Sequence, residues 1–93
     1  MINFRLIRHL WLFLAVAEEQ HFGRAAKRLG MSQPPLTGQI QTLEQALKVK
    51  LFERSRRGTK LTAAGAAILP AVRKFSEQLE RLELAVREAT TGQ

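Results

Sequence analysis

Apolar residues recur at intervals of three and four in the first twenty positions of the chain, with polar residues between them. Residues at this spacing share one face of an α-helix, and here that face is formed by Leu6, Leu10, Phe13, Leu14 and Ala17. The polar run 18–20 closes the segment. The pattern therefore predicts a first core helix, within which we expect the Trp11 side chain to be packed rather than functional.

Residues 22–47 contain two further helical patterns, one on each side of Gly30. In the first pattern, Ala25 and Ala26 allow a crossing helix to approach closely. Gly30 supplies a backbone position that can bend in either direction. Two helices joined by such a turn are typical of a helix-turn-helix DNA reader.

The second helix of this pair is predicted to begin just after Ser32, whose hydroxyl is suited to capping the free N–H groups of the first turn. Pro34 and Pro35 fall in that turn, where a missing N–H costs little. The apolar positions then follow at intervals of four, three and four, at Leu36, Ile40, Leu43 and Leu47. One side of the helix is thus predicted to pack on the domain, while the polar side stays free.

The stretch 48–62 changes character and predicts a β-hairpin. We expect its arms at Lys50–Arg54 and Lys60–Thr62, around a polar, glycine-containing tip at 55–59. Three arginines are expected to cluster at this tip, namely Arg54, Arg56 and Arg57. An alternative interpretation is a solvated basic loop without a partner.

The last segment is predicted to be a long helix that begins at Ala63, with Thr62 as its cap. Its apolar residues follow a heptad pattern and form one seam, Ile68, Val72, Phe75, Leu79, Leu82 and Val86. Such a seam needs a partner, and a second copy of the chain is the economical one. Pro70 is expected to kink this helix or to leave a carbonyl without its donor, and the tail 90–93 is expected to fray.

Composition narrows the class of protein. The 93 residues carry a formal net charge of +7 and include no Cys. Residues 1–62 hold eleven Lys/Arg against four Glu, whereas residues 63–93 hold four of each. The basic surface therefore belongs to the first two thirds of the chain, where it favours binding to a polyanion such as nucleic acid. A basic surface that serves only solubility is the alternative.

Two further classes are disfavoured. The longest apolar run, 10–17, is much shorter than the roughly 20 residues needed to cross a bilayer, so we expect no membrane contact and a cytoplasmic location. The two His lie twelve residues apart, and no Ser/His or carboxylate constellation is present. We therefore predict no catalytic site, no metal site and no cofactor, and hence no enzyme.

The order of these elements resembles the N-terminal DNA-binding domain of bacterial LysR-type transcriptional regulators. The resemblance covers nearly the whole chain and rests on RHLWLFLAVAEEQHFGRAAKRL, SQPPLTGQIQTLEQAL and LFERSRRGTKLTAAG. It implies a mainly α fold, with a winged helix-turn-helix of three helices plus a short hairpin wing over residues 1–62 and a dimerising linker helix over 63–93. The helix-turn-helix itself would span about 22–47. A C-terminal effector-binding domain, absent from this chain, would follow in a longer regulator.

The resemblance also implies partners. The chain would bind double-stranded operator or promoter DNA as a homodimer, and the full-length protein would form a tetramer. Each dimer would read an interrupted inverted repeat, with the second motif helix in the major groove and the wing in the minor groove. A small-molecule effector would act only through the missing domain.

Site residues carry over position by position from the resemblance. Major-groove contacts fall to Gln33, Pro34, Pro35, Thr37 and Gly38. Wing contacts fall to Arg54 and Arg57, with Arg56 beside them at the predicted tip. On chemical grounds, Ser32, Thr37 and Gln41 are candidates for phosphate contacts that fix the register. The chemistry is suitable, because a Gln amide fits an adenine edge and Arg fits a narrow, strongly negative minor groove.

Two positions depart from the family pattern. Gly38 stands where many relatives carry Arg, so a direct base contact at that step is expected to be missing. The first motif helix starts at His21-Phe-Gly, where Ser or Thr is usual, so Gly23 is expected to act as a weaker cap. The competing interpretation of the whole chain is a non-enzymatic protein-interaction or RNA-binding module. RNA recognition usually relies on stacking aromatics, and the five Phe lie in mostly apolar contexts.

Overall fold

The computed structural model describes residues 4–91. Its elements are α1 (Phe4–Glu19), α2 (Phe22–Leu29), α3 (Gln33–Leu47), β1 (Phe52–Ser55), β2 (Gly58–Leu61) and α4 (Ala63–Thr91). The two strands pair in antiparallel fashion. The predicted fold class is confirmed: the chain is mainly helical, with a winged helix-turn-helix followed by a long helix.

The core lies where α1 crosses α2 and α3. Six consecutive residues of α1, 12–17, are all buried, so α1 is the central helix, since a helix that is apolar all round must be covered all round. From α3, Leu36, Ile40 and Leu43 are at most 2% exposed. Burial of each such side chain stabilises the fold by about 1.5–3 kcal/mol, and these contacts fix the orientation of α3 on the domain.

The turn between α2 and α3 is built as predicted around Gly30. This residue adopts a left-handed conformation (φ 70°) and ends α2, while its N–H is directed at the carbonyls of Ala26 and Lys27. The Met31 N–H donates to the Ala26 carbonyl at 2.9 Å. These bonds satisfy carbonyls that the end of a helix would leave without partners, and so they fix the angle at which α3 departs.

Both predicted helix caps of this motif need correction. Ser32 is the residue before α3, but its hydroxyl makes no capping hydrogen bond. The reason is that a cap bonds to the second or third N–H of the helix, and here those positions are Pro34 and Pro35. At α2 the cap is His21 rather than Gly23, since the His21 Nδ1 accepts a hydrogen bond from the Arg24 N–H at 3.0 Å.

The hairpin is confirmed, but its predicted boundaries are wrong. The strands pair from Phe52 with Leu61 to Ser55 with Gly58, so the turn contains only residues 56 and 57. Gly58 takes a positive φ of 117°, which an L side chain rarely adopts, and this allows the hairpin to close over a short turn. The wing therefore extends further toward its tip than predicted.

The start of α4 is held by a hydrogen bond and by close packing against residues 50 and 51, which precede the wing. The Thr62 hydroxyl accepts the Gly65 N–H at 3.0 Å, which confirms Thr62 as a cap. The same hydroxyl donates to the Lys50 carbonyl at 2.6 Å. A Cβ at Gly65 would collide with the Leu51 carbonyl, so glycine is required for this close approach.

The long helix α4 runs through Pro70 as one element. Pro70 and Ala66 are both exposed, so water can satisfy the carbonyl that loses its helical donor. Thr90 and Thr91 are helical, which contradicts the predicted fraying there, whereas positions 92 and 93 lie outside the described residues. Neither α4 nor any other helix within residues 4–91 is long and apolar enough to span a membrane.

Trp11 departs from its predicted packing. Its side chain is 44% exposed, and it lines an open recess between α1 and α4 together with Leu14 and Glu80. Trp11 precedes the fully covered run 12–17 and lies where α4 stands off from α1 across this recess, so no element covers the indole. The prediction that Trp11 is packed is therefore wrong.

Candidate nucleic-acid interface

The polar face of α3 lies at the surface of the domain. The apolar positions of α3 point into the core, so the residues on the other side are presented to solvent. Six positions that are predicted to touch a groove or a phosphate are exposed there. They are Ser32, which precedes the helix, and Gln33, Pro34, Pro35, Gly38 and Gln41 within it. The structure therefore brings these candidates together on one surface, which we call the α3 face.

Thr37 and Arg54 occupy the boundary between the α3 face and the wing. The Arg54 Nη2 donates a hydrogen bond to the Thr37 Oγ1 at 2.8 Å, and the Arg54 guanidinium carbon lies 3.6 Å from the centroid of the Phe22 ring. Arg54 belongs to β1 and not to the turn. The prediction that Arg54 lies at the tip is therefore wrong, because the short turn leaves it beside the body of the domain, but all three arginines line one recess.

The tip of the wing consists of Arg56 and Arg57, both exposed. The Arg57 N–H donates to the Ser55 Oγ at 3.2 Å, which closes the turn locally. The positive φ falls on Gly58 and not on either arginine. Two long cationic side chains are thus displayed at the most exposed point of the hairpin without backbone strain.

Two anchors fix the wing relative to the α3 face. The Glu44 carboxylate accepts the Leu51 N–H at 2.8 Å and the Phe52 N–H at 3.4 Å. On the other strand, the buried Thr59 donates its N–H to the Gln20 carbonyl at 3.4 Å. The wing is therefore attached to α3 by one strand and to the α1–α2 turn by the other.

Sequence analysis missed the role of Glu44. The signal was nevertheless present, because Glu44 follows Ile40 by four residues and so falls on the packed side of α3. A carboxylate at such a position needs hydrogen-bond donors, and the next backbone segment supplies them.

An open recess of about 300 Å³ separates the wing from the start of α2 and α3. It is lined by His21, Phe22, Gly23, Gln33 and the wing residues 54–59. Three arginines thus converge on one concavity, and a concave cationic surface concentrates anions such as phosphate. His21 was not predicted as a member of this surface, because its sequence context identified only a helix start.

Three arginines outside the wing form ion pairs with glutamates at the end of α1. Arg24, Arg28 and Arg73 form ion pairs with Glu18 or Glu19 at 2.8–3.9 Å, and the hydrogen bond that Arg28 donates to the Glu18 carboxylate raises the pKa of Arg28. Within residues 4–91, Arg56 and Arg57 form no such pair. The tip of the wing therefore carries two cationic side chains that no glutamate of the described residues neutralises. The same described residues contain no group of three or more His and Glu suited to a metal ion.

The predicted dimer seam of α4 divides into two parts. Val72 is buried, and Ile68 packs against the same core, so the chain itself covers the first part. In the second part, Leu79 is half-buried, while Phe75, Leu82 and Val86 are 37%, 59% and 52% exposed. Only this second part is open to a partner.

Sequence comparison places the chain among known regulators. Residues 7–66 match the model of the bacterial regulatory helix-turn-helix protein, lysR family. The regulator ClcR of Pseudomonas putida is 48% identical over 92 residues, which cover 99% of this chain and 30% of ClcR. The regulator AlsR of Bacillus subtilis is 50% identical over 84 residues, which cover 89% of this chain and 28% of AlsR. The chain thus spans less than a third of these relatives.

Two solved structures with high similarity contain DNA. The DNA-binding domain of BenM, in complex with the catB site 1 DNA, superposes with a TM-score of 0.87 at 37% identity, covering 94% of this chain and 98% of that one. The CbnR DNA-binding domain in complex with DNA gives a TM-score of 0.80 at 49% identity, with coverages of 90% and 97%. Family model, sequence identity and fold agree, and this chain belongs to the lysR family of bacterial regulatory helix-turn-helix proteins.

Proposed function

We propose that this chain binds double-stranded DNA sequence-specifically, as the DNA-binding domain of a bacterial transcriptional regulator that acts in the cytoplasm. The observation that carries the proposal is that the α3 face and the wing lie side by side around one recess. Arginines that form no ion pair within the described residues adjoin exposed side chains there that are suited to base recognition. The DNA-bound domains of CbnR and BenM are similar in fold to this chain and support the proposal that it binds DNA. The proposed activity is binding without catalysis.

The geometry suits binding of α3 and the wing to two different grooves of the DNA. The first turns of α3 would enter the major groove, where the Gln33 amide and the methyl group of Thr37 can contact base edges. The tip arginines would reach the adjacent minor groove, whose potential is most negative where it is narrow. The recess between them would receive the intervening phosphates, with Ser32 and Gln41 contributing hydrogen bonds that fix the register.

The exposed part of the α4 seam supports pairing of two copies. Phe75, Leu79, Leu82 and Val86 form an apolar strip that this chain leaves uncovered in large part. An isologous contact between two such strips would give a two-fold dimer, whose two α3 helices would read an inverted repeat. A tetramer and an effector response would belong to the full-length regulator and its further domain.

An RNA-binding module is the second candidate, and no observation favours it. RNA readers present aromatic rings on which bases stack. Phe13, Phe22 and Phe52 are buried here, and Phe75 lies on the seam of α4. A platform of exposed aromatics is therefore absent from the described residues near the wing.

A competition assay tests the proposal. The full chain is bound to a labelled mixed-sequence duplex and challenged with unlabelled duplex DNA, single-stranded DNA and a structured RNA of equal length and concentration. We expect the duplex to displace the label best, with an affinity that falls steeply as salt rises. Equal or better competition by RNA would contradict the proposal.

A further inference from the structure

The hydrogen bond between Arg54 and Thr37 has a fixed direction. A guanidinium can only donate, so the Thr37 Oγ1 is the acceptor at 2.8 Å. A hydroxyl also has one hydrogen to donate, and within the described residues the Thr37 hydroxyl meets no acceptor for it. Thr42, also on α3, differs because its hydroxyl donates to the Gly38 carbonyl at 3.0 Å. The hydrogen of Thr37 is therefore available to water in the free domain and to an acceptor of a bound ligand.

The orientation of Arg54 is set by the core. Its guanidinium carbon lies 3.6 Å from the centroid of the Phe22 ring. Phe22 in turn contacts Phe52 edge to face at 5.7 Å between centroids, and Phe52 contacts Phe13 at 5.4 Å. A guanidinium that lies on an aromatic ring keeps its N–H groups along its edge, where one of them reaches Thr37. A lysine has no plane to be held in this way.

We infer that Arg54 is a positioning residue that fixes the Thr37 hydroxyl as a hydrogen-bond donor toward an acceptor atom of the DNA. The inference rests on the proposed function. In the major groove, guanine, adenine N7 and thymine O4 offer acceptors, whereas cytosine offers only a donor. Phosphate oxygens offer the same acceptor chemistry. Thr37 should therefore contact either a base other than cytosine or a phosphate.

The test is a double-mutant cycle on a duplex selected by the wild-type chain from a random pool. Thr37→Val removes the hydroxyl and keeps the shape, while Arg54→Lys keeps the charge and removes the planar fork. We expect Thr37→Val to weaken binding about five- to tenfold, as for the loss of one hydrogen bond. In the Arg54→Lys background the same substitution should cost nothing further, because the hydroxyl is no longer oriented.

Matched variants serve as controls. Thr37→Ser should restore affinity, since it returns the hydroxyl, and Thr42→Val should leave affinity unchanged because its hydroxyl is already used within α3. Should Arg54→Lys lower the melting temperature, Arg54→Gln provides the second background.

Repeating the selection with each variant identifies the acceptor. If it is a base, Thr37→Val and Arg54→Lys will relax the preference at the same position of the site. If it is a phosphate, both will weaken binding without changing the selected sequence. An equal cost of Thr37→Val in both backgrounds would overturn the inference while leaving the proposed function intact. Failure of the wild-type chain to enrich any sequence would instead contradict the proposed function itself.

Discussion

Gly38 lies in the middle of the α3 face and lacks a packing reason to be glycine. A Cβ built at this position would meet no atom within 4 Å. A glycine inside a helix costs roughly 0.5–1 kcal/mol relative to alanine. The bare backbone is therefore not required by the free domain, and any advantage of glycine must come from the bound state.

Gly38→Arg tests what the bare backbone does. We expect a higher melting temperature, because the helical penalty is removed, and tighter binding by about 1–3 kcal/mol at sites with guanine at the facing step. Gly38→Ala is the control that restores helix propensity without a base-reading side chain. A Gly38→Arg variant that is more stable but binds the selected site less well would mean that the helix needs the missing side chain to approach the groove.

Arg57 carries the second prediction at this scale. It is exposed at the tip of the wing, so Arg57→Ala should leave stability nearly unchanged. If it contacts one phosphate, the plot of log affinity against log salt should become shallower by about one unit. Arg81→Ala removes the same charge from the exposed surface of α4 and should leave the slope unaltered. Equal slopes for Arg57→Ala and the wild type would refute the contact.

At the scale of elements, the helices were predictable and the hairpin ends were not. Apolar spacing is present in the sequence itself, and it predicts both α1 and α3 as helices and the buried side of α3. The ends of the strands depend instead on a positive φ at Gly58 and on contacts between distant residues, such as Glu44 with Leu51. Those contacts form only when the fold has brought the partners together, so local patterns do not contain them.

The same distinction applies to the candidate site. The exposed side of α3 followed from periodicity, and so the positions Gln33, Gly38 and Gln41 were found on one surface. The pairing of Arg54 with Thr37 spans 17 residues and depends on how far the wing folds back. Spacing therefore predicted which side of α3 is exposed and the family resemblance assigned residues to it, but neither contained the contacts between those residues or the part that His21 and Glu44 play.

The attachment of the wing gives a prediction for an element. Glu44→Ala leaves the N–H of the fully buried Leu51 without its partner, and an unsatisfied buried donor costs about 1–3 kcal/mol. Denaturant unfolding should register that loss, and the Leu51 and Phe52 amides should exchange faster with solvent. Gln45→Ala, at the exposed neighbouring position, is the control. Unchanged unfolding and exchange would show that the wing is held by its other contacts.

At the scale of the whole molecule, α4 makes the chain elongated, with extents of 54 × 28 × 20 Å. Its 29 residues span about 43 Å at 1.5 Å per residue, and all residues after position 79 are exposed up to the end of the described chain. The net positive charge lies in residues 1–62. The two ends of the molecule are thus suited to different partners, DNA at one and a second copy at the other.

Two leucines of α4 provide a matched test of pairing. Leu82 belongs to the seam and Leu84 does not, yet they are 59% and 52% exposed. Leu82→Glu should place a charge in an apolar contact and dissociate the dimer, whereas Leu84→Glu should leave it intact. Sedimentation distinguishes monomer from dimer. If both variants remain dimeric, pairing uses another surface.

The central claim is that the α3 face and the wing bind duplex DNA, and an NMR titration of the isotope-labelled chain with its selected duplex tests it most directly. We predict that the amide signals of Gln33, Gly38 and Arg57 shift strongly, while the indole N–H of Trp11, in the recess between α1 and α4, stays in place. Large shifts at Trp11 with unchanged signals along α3 and the wing tip would contradict the claim.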